Sequence, residues 1–177
     1  MKTKLNQSKL KLAIVSAMLL GTAAITAPAY ALDGSLSVSA SIGTACTIST
    51  TTLAFDAYDA VGANASADLE ATGGVTSTCS IGSSGHIKMG QGLHAEEGSS
   101  DGTPLRRMVH STNGTSFLSY RVYSDSARGD VWENTTGVAY TGTGISQALT
   151  VYGSVTQAQT DAIVGSYQDT LTVAINY

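Results

Sequence analysis

The residues of this chain that could do chemistry are its histidines, its cysteines and one acidic stretch. The histidines are His86, His94 and His110, and none has the short spacing to a second ligand that zinc sites use. Glu96, Glu97 and Asp101 lack the ligand order of a calcium loop. No set of Ser, His and Asp has a spacing that is recognisable as a hydrolase site. We therefore expect no catalytic residue, metal site or cofactor; a small secreted hydrolase remains a third, weaker hypothesis.

Cys46 and Cys79 are the two cysteines of the 177-residue chain. An isolated pair in an exported protein is most simply a disulfide. A metal site is the weaker alternative, because two thiols without a nearby histidine make a poor ligand set. The pair therefore predicts a Cys46–Cys79 disulfide.

Residues 1 to 31 have the composition of a signal peptide. Four lysines begin it, residues 12 to 20 form an apolar run, and residues 28 to 31 end in the small-x-small pattern that signal peptidase reads. Cleavage is expected after Ala31; an uncleaved N-terminal anchor is the alternative. Since no later stretch has the roughly 18 to 20 apolar residues of a membrane helix, we expect no membrane span in the mature chain.

Cleavage leaves 146 residues, about the size of one domain. Four of the nine basic residues lie in the signal, so five Lys or Arg remain against thirteen Asp or Glu, a net charge of −8. An acidic chain with scattered basic residues makes nucleic acid a poor partner.

Serines alternate with apolar residues directly after the expected cleavage site. The apolar positions are Leu36, Val38, Ala40 and Ile42. A period of two is typical of a strand with one apolar face. Such a strand at a chain end needs a partner, and the pattern leaves open whether this chain or another one supplies it.

The rest of the mature chain reads as short strands separated by glycine-bearing turns. Strands are predicted at residues 46–55, 75–81, 86–90, 117–123, 138–140, 148–155 and 167–177. Residues 91 to 105 and most of 124 to 144 are predicted as loops, and residues 156 to 164 as a polar connection with one helical turn. These elements and a single disulfide favour an all-β sandwich.

The motifs of the mature chain resemble those of a known family. They include Cys46-Thr-Ile48, Leu53-Ala-Phe55, Arg107-Met108 and, most specifically, Gly165-x-Tyr167-x-Asp169-Thr170, followed by an alternating strand and an aromatic C-terminus. These stretches are similar to the spore coat protein U domain family and, within it, to Csu-type subunits of archaic chaperone–usher pili.

This resemblance implies an immunoglobulin-like sandwich that lacks its final strand and is completed by a donor strand from another subunit. Residues 32 to 44 would be the N-terminal donor strand and residues 45 to 177 the pilin domain. The donor side chains would be Leu36, Val38, Ala40 and Ile42. The wall of the acceptor groove would carry Leu171, Val173, Ile175 and Tyr177, which face one way along the closing strand.

The resemblance also implies partners and a location. These are identical or related pilus subunits in a head-to-tail polymer, a periplasmic chaperone that fills the groove first, and an outer-membrane usher. The product would be a cell-surface pilus that supports adhesion and biofilm formation. The alternative hypothesis is a self-contained secreted coat or carbohydrate-binding protein, in which the N-terminal strand folds into its own sandwich.

Overall fold

The computed structural model describes residues 33 to 177, and nearly all of its regular structure is β-strand. The nine strands are β1 (Cys46–Thr51), β2 (Leu69–Cys79), β3 (Ser84–Met89), β4 (Arg106–His110), β5 (Phe117–Tyr123), β6 (Val138–Thr141), β7 (Gln147–Val155), β8 (Tyr167–Gln168) and β9 (Val173–Asn176). The predicted signal peptide, residues 1 to 31, lies outside the described residues. From residue 33 onward, no helix has the length and hydropathy needed to cross a bilayer.

The strands form two sheets, both in the compact unit that runs from Ser41 to Tyr177. The larger sheet has the order β1-β2-β7-β5-β4-β8, and the smaller has the order β6-β3-β9. Every strand pairing is antiparallel. The smaller sheet therefore ends in β9, the last strand of the chain.

The core lies between the sheets and takes side chains from both. Val75, Val122 and Val155 come from the larger sheet, while Ile87 and Met89 come from the smaller one, and all are almost fully buried. Alternation in β5 puts Leu118, Tyr120 and Val122 on the buried face, as its sequence predicts. The all-β sandwich prediction is confirmed.

The disulfide between Cys46 and Cys79 is also confirmed. These two residues face each other at one end of the β1–β2 ladder. The bond thus fastens the edge strand β1 to β2 at the point where β1 begins.

Some element boundaries differ from those that the sequence predicts. β2 begins at Leu69 instead of residue 75, because the Gly73–Gly74 pair lies inside the strand rather than opening it. A Cβ atom at Gly73 would lie 3.1 Å from the Leu53 backbone, so this glycine permits a close approach of the chain. The predicted strand at 46 to 55 ends at Thr51, and Leu53 to Phe55 runs on without a ladder.

The sequence does not predict β4, because Arg106 and His110 are buried polar residues and hide the apolar alternation of the strand. The closing strand divides into β8 and β9, since Asp169 turns inward to bond other groups between them. The helical turn predicted within residues 156 to 164 is wrong: the segment has turns only, with Ala158 at φ 59°.

Candidate functional site

A groove of about 800 Å³ opens between the two sheets along one side of the sandwich. Its sides are residues 50 to 58, which include the end of β1, and residues 165 to 173, which lead into β9. Buried side chains of both sheets form its floor: Val75, Met89, Leu118, Tyr120 and Val151. The core of the protein is thus reachable from outside along this groove.

The groove exists because the smaller sheet is too narrow to cover the larger one. Among the described residues, three strands face six, and no strand lies on the side of β9 away from β3. As a result β1 is exposed along nearly all its length, and Leu53, Phe55, Leu171 and Val173 are only half-buried. An apolar surface that stays half-covered is typical of a binding site.

The free edge of β9 offers backbone hydrogen bonds as well. The Gly90 N–H donates to the Thr172 carbonyl (2.8 Å), and facing pairs of an antiparallel ladder alternate between bonded and non-bonded. In this register Ala174, which faces Lys88, is therefore bonded to β3. The N–H and C=O groups of Val173 and Ile175 point to the open side, where an added strand could pair with them.

Gly153 of β7 lies beneath the first side of the groove, residues 50 to 58. A Cβ atom at Gly153 of β7 would lie 2.8 Å from both Leu53 Cδ2 and Phe55 Cζ. The bare backbone of Gly153 lets both side chains lie against the sheet. Phe55 also packs edge-on against Tyr120, with ring centroids 6.4 Å apart.

Tyr58 holds the end of this first side in place. Its hydroxyl donates to the Thr156 carbonyl (2.8 Å) and accepts from the Gln159 N–H (3.0 Å). The Gln159 side chain in turn bonds the backbone N–H and C=O of Ser119 at 2.7 and 3.0 Å. This side of the groove is therefore fixed before anything binds.

The second side is held through Tyr167 and His110. The Tyr167 hydroxyl donates to the Ile163 carbonyl (2.7 Å), and its ring packs edge-on against His110. Nδ1 of His110 accepts two backbone N–H bonds, from Thr112 and Asn113. Nε2 therefore carries the hydrogen and donates to the Val164 carbonyl (3.2 Å).

Tyr120 and Asp169 link the floor to the second side. The Tyr120 hydroxyl donates to Asp169 Oδ2 (2.7 Å), and Asp169 Oδ1 accepts from the Leu93 N–H (3.0 Å). Burial, together with the carboxylate of Asp169, raises the pKa of Tyr120 well above its usual value. The phenol stays protonated and keeps its bond to Asp169 throughout the physiological range.

Arg106 fixes the strand that carries Met89 into the floor. Its buried guanidinium donates to the carbonyls of Met89, Gly90 and Trp132 at 2.7 to 3.1 Å. Burial lowers the pKa of Arg106 from its ordinary value, against the attraction of nearby acidic groups. These bonds tie β3 to β4 across the core.

The residues predicted for the acceptor wall occupy different places. Leu171 and Val173 line the groove. Ile175 packs against the core at the free edge, and Tyr177 is exposed at the end of the chain. The acceptor assignment of the four residues stays a prediction.

The predicted donor residues are exposed and carry no strand. Leu36, Val38 and Ile42 are 89%, 86% and 94% exposed, and Ala40 is exposed as well. Residues 33 to 45 have no regular secondary structure. The donor role of this segment also stays a prediction, since it needs a partner chain.

The sequence assigns no groove role to Phe55, Met108 or Tyr167, which all line it. The alternation of Leu53 and Phe55 is visible in the sequence, but it predicts the end of a ladder strand instead.

Within residues 33 to 177, the structure gathers no cluster of three or more His, Cys, Asp or Glu that could hold a metal. The apolar groove, which lies beside the free edge of β9, is suited to binding an extended peptide segment.

Comparison with known proteins shows similarity to a protein family, to a curated relative and to solved structures. The family model described as the Spore Coat Protein U domain matches residues 32 to 174. The curated protein "Protein U" of Myxococcus xanthus is 35% identical over 181 aligned residues, which cover 98% of this chain and all of that protein.

Among solved structures, the chain is similar to one from the CsuC–CsuE chaperone–tip adhesion subunit pre-assembly complex of the archaic chaperone–usher Csu pili of Acinetobacter baumannii. The TM-score is 0.53 at 20% identity, over 77% of this chain but only 40% of the solved one. At that identity the likeness shows the fold, which agrees with an immunoglobulin-like sandwich.

Proposed function

Because the chain belongs to the spore coat protein U domain family, we propose that it is a structural subunit of a surface filament that polymerises by donor-strand exchange. The groove of one copy would bind residues 36 to 42 of the next. The observation that carries this proposal is the apolar groove beside a strand edge that has no partner within residues 33 to 177, in a chain whose residues 36 to 42 alternate apolar and polar side chains.

The bound segment would complete the smaller sheet as a fourth strand. Its backbone would pair with the outward N–H and C=O groups of Val173 and Ile175, while its apolar side chains would cover the groove floor. Burial of Leu36, Val38 and Ile42, with Ala40, would contribute about 5 kcal/mol or more. The ladder hydrogen bonds would add to this value.

An antiparallel arrangement of the donor beside β9 fits the sandwich best. β1 begins near the end of β9, because Cys46 contacts Tyr140 (3.3 Å) and Tyr140 faces Gly85, next to the His86–Asn176 pair. The donor segment therefore leaves at the end of the sandwich where β9 ends. We call the two ends of the sandwich, along the strand direction, its poles. If it entered its neighbour antiparallel to β9, it would enter at the opposite pole, so that one pole donates and the other receives.

Head-to-tail donation does not close on itself, so its product is a filament. The similar solved structure comes from a pre-assembly complex of a chaperone with a pilus tip adhesion subunit. By analogy, a periplasmic chaperone would occupy the groove during export, and an outer-membrane usher would exchange it for the next subunit. A surface pilus of this kind would serve adhesion and biofilm formation.

A matched pair of substitutions in the full chain tests the proposal. Val38→Asp places a charge on the apolar face of the donor segment, whereas Ser37→Asp places the same charge on its polar face. A charge buried in an apolar groove costs several kcal/mol, so Val38→Asp should reduce surface polymer more than tenfold while Ser37→Asp retains it. Equal polymer from both variants, or normal filaments after deletion of residues 32 to 42, would contradict the proposal.

A coat protein is the second candidate, and the description of the matching family as the Spore Coat Protein U domain favours it. In that case the domain would be self-contained. The purified mature protein would then be monomeric, would melt cooperatively, and would not respond to an added peptide of residues 33 to 43. A donor-strand subunit should instead bind that peptide and melt at a higher temperature.

A further inference from the structure

Two isoleucines project from neighbouring turns at the pole where the N-terminal segment leaves the sandwich. Ile81 lies in the β2–β3 turn and is 82% exposed; Ile145 lies in the β6–β7 turn and is 69% exposed. Residues at turn tips are usually small or polar. We call this pair the isoleucine tip.

The isoleucine tip stands on a rigid base. The Gly82 N–H donates to the Gly142 carbonyl (3.2 Å), and the Gly144 N–H donates to the Cys79 carbonyl (2.9 Å). Gly144 has φ +77°, and a Cβ atom there would lie 3.0 Å from Ile81 Cγ1. The two turns are thus locked together, so little entropy would be lost if the tip were buried.

The base of the N-terminal segment is bonded directly beside this tip. The Ser80 hydroxyl donates to the carbonyls of Gly43 (3.4 Å) and Ala45 (3.3 Å). Ser80 precedes Ile81, and Gly43 follows the last predicted donor residue, Ile42. At about 3.3 to 3.6 Å per residue, any molecule that binds Ile42 is brought within about 10 Å of the tip.

The opposite pole presents apolar side chains at the end of the groove. Val164 precedes Gly165, which lines the groove, and Leu93 is bonded through its N–H to Asp169, another lining residue. Both side chains are strongly exposed. We call these two residues the groove rim.

We propose that the isoleucine tip of one copy packs onto the groove rim of the copy that receives its N-terminal segment. This inference rests on the proposed donor-strand exchange and adds a second contact between successive subunits. An antiparallel donor places Ile42 at the end of the neighbour's groove where Val164 and Leu93 lie. The tip that is bonded beside the donor's base then meets this rim, and apolar surface exposed on both copies is removed from water.

Cysteine cross-linking in filaments of the full chain tests the contact. The double variant Ile81→Cys with Val164→Cys should give a ladder of disulfide-linked subunits under mild oxidation. Each single variant, and Ile81→Cys combined with Ala148→Cys on an exposed position of β7, should give none. The native Cys46–Cys79 pair serves as the internal reference for oxidation.

The rate at which filaments lose subunits after charge substitution tests the same contact independently. Ile81→Asp with Ile145→Asp should leave filaments that form but lose subunits about tenfold faster on heating, because buried isoleucine contacts slow dissociation. Ala148→Asp should behave as the unmodified chain.

The two proposals fail in different ways. Filaments that form but give no cross-link, and that dissociate at the normal rate with both aspartates, would overturn the tip contact alone. A wild-type chain that forms no polymer would overturn donor-strand exchange and the tip contact with it.

Discussion

At the scale of residues, the groove depends on hydrogen bonds that hold its sides and floor in place. The Tyr58 hydroxyl donates to the Thr156 carbonyl, and the Tyr167 hydroxyl donates to the Ile163 carbonyl. Arg106 donates to the carbonyl of Met89, a residue of the groove floor. An open apolar groove would otherwise collapse, since exposed apolar side chains gain from contact with one another. These bonds keep the binding surface formed while it is empty.

Glu133 gives a prediction at this scale. Burial acts to raise its pKa, but bonds from the Thr135 hydroxyl and from the N–H groups of Thr135, Thr136 and Gly137 outweigh it and lower the pKa to about 2. A carboxylate with a depressed folded-state pKa stabilises the fold above its unfolded pKa, and this stability is lost as the pH falls through the folded value.

Urea unfolding between pH 6 and pH 2 checks this effect. The wild-type chain should lose stability as the pH falls from about 4.5 to about 2, by no more than about 1 kcal/mol from this group, because solvent screens it. Glu133→Gln should remove that part of the pH dependence, whereas the exposed control Glu97→Gln should keep it. Parallel curves for Glu133→Gln and the wild type would refute the role of Glu133.

At the scale of elements, the sequence predicts what depends on local alternation. β5 is predicted with its observed bounds because Leu118, Tyr120 and Val122 alternate cleanly. β4 is not predicted because the sequence does not show that Arg106 is buried: the carbonyls that its guanidinium bonds are distant in the chain. The groove cannot be predicted from the residues alone, because its two sides, residues 50 to 58 and 165 to 173, are distant in sequence and come together only in the folded sandwich. Only the family resemblance implies such a groove.

Gly153 allows a test of how the first side of the groove is built. Gly153→Val inserts a branched side chain where Leu53 and Phe55 now lie, so both must move into the groove or away from β7. Overpacking of this kind costs about 1 to 3 kcal/mol. We expect at least tenfold weaker binding of the peptide of residues 33 to 43, measured by calorimetry.

The matched control is Ala148→Val, because Ala148 is an exposed residue of the same strand on the opposite face of the sheet. Unchanged peptide affinity in Gly153→Val, with the fold intact by circular dichroism, would show that the packing of Leu53 and Phe55 does not shape the site.

At the scale of the whole molecule, no strand within residues 33 to 177 covers the side of β9 away from β3, and residues 36 to 42 alternate apolar and polar side chains. Each feature is a liability alone: a free strand edge and an uncovered core favour aggregation. Together they support the proposal that another copy completes the stability of each subunit.

Amide hydrogen exchange in assembled filaments tests this claim most directly. The amides of Val173 and Ile175 face the open edge, while that of Ala174 is bonded to β3, so Ala174 is the internal control. In filaments, Val173 and Ile175 should exchange at least tenfold more slowly than in the monomeric Val38→Asp variant, with Ala174 slow in both. Equal exchange of Val173 and Ile175 in filament and monomer would contradict donor-strand pairing at β9.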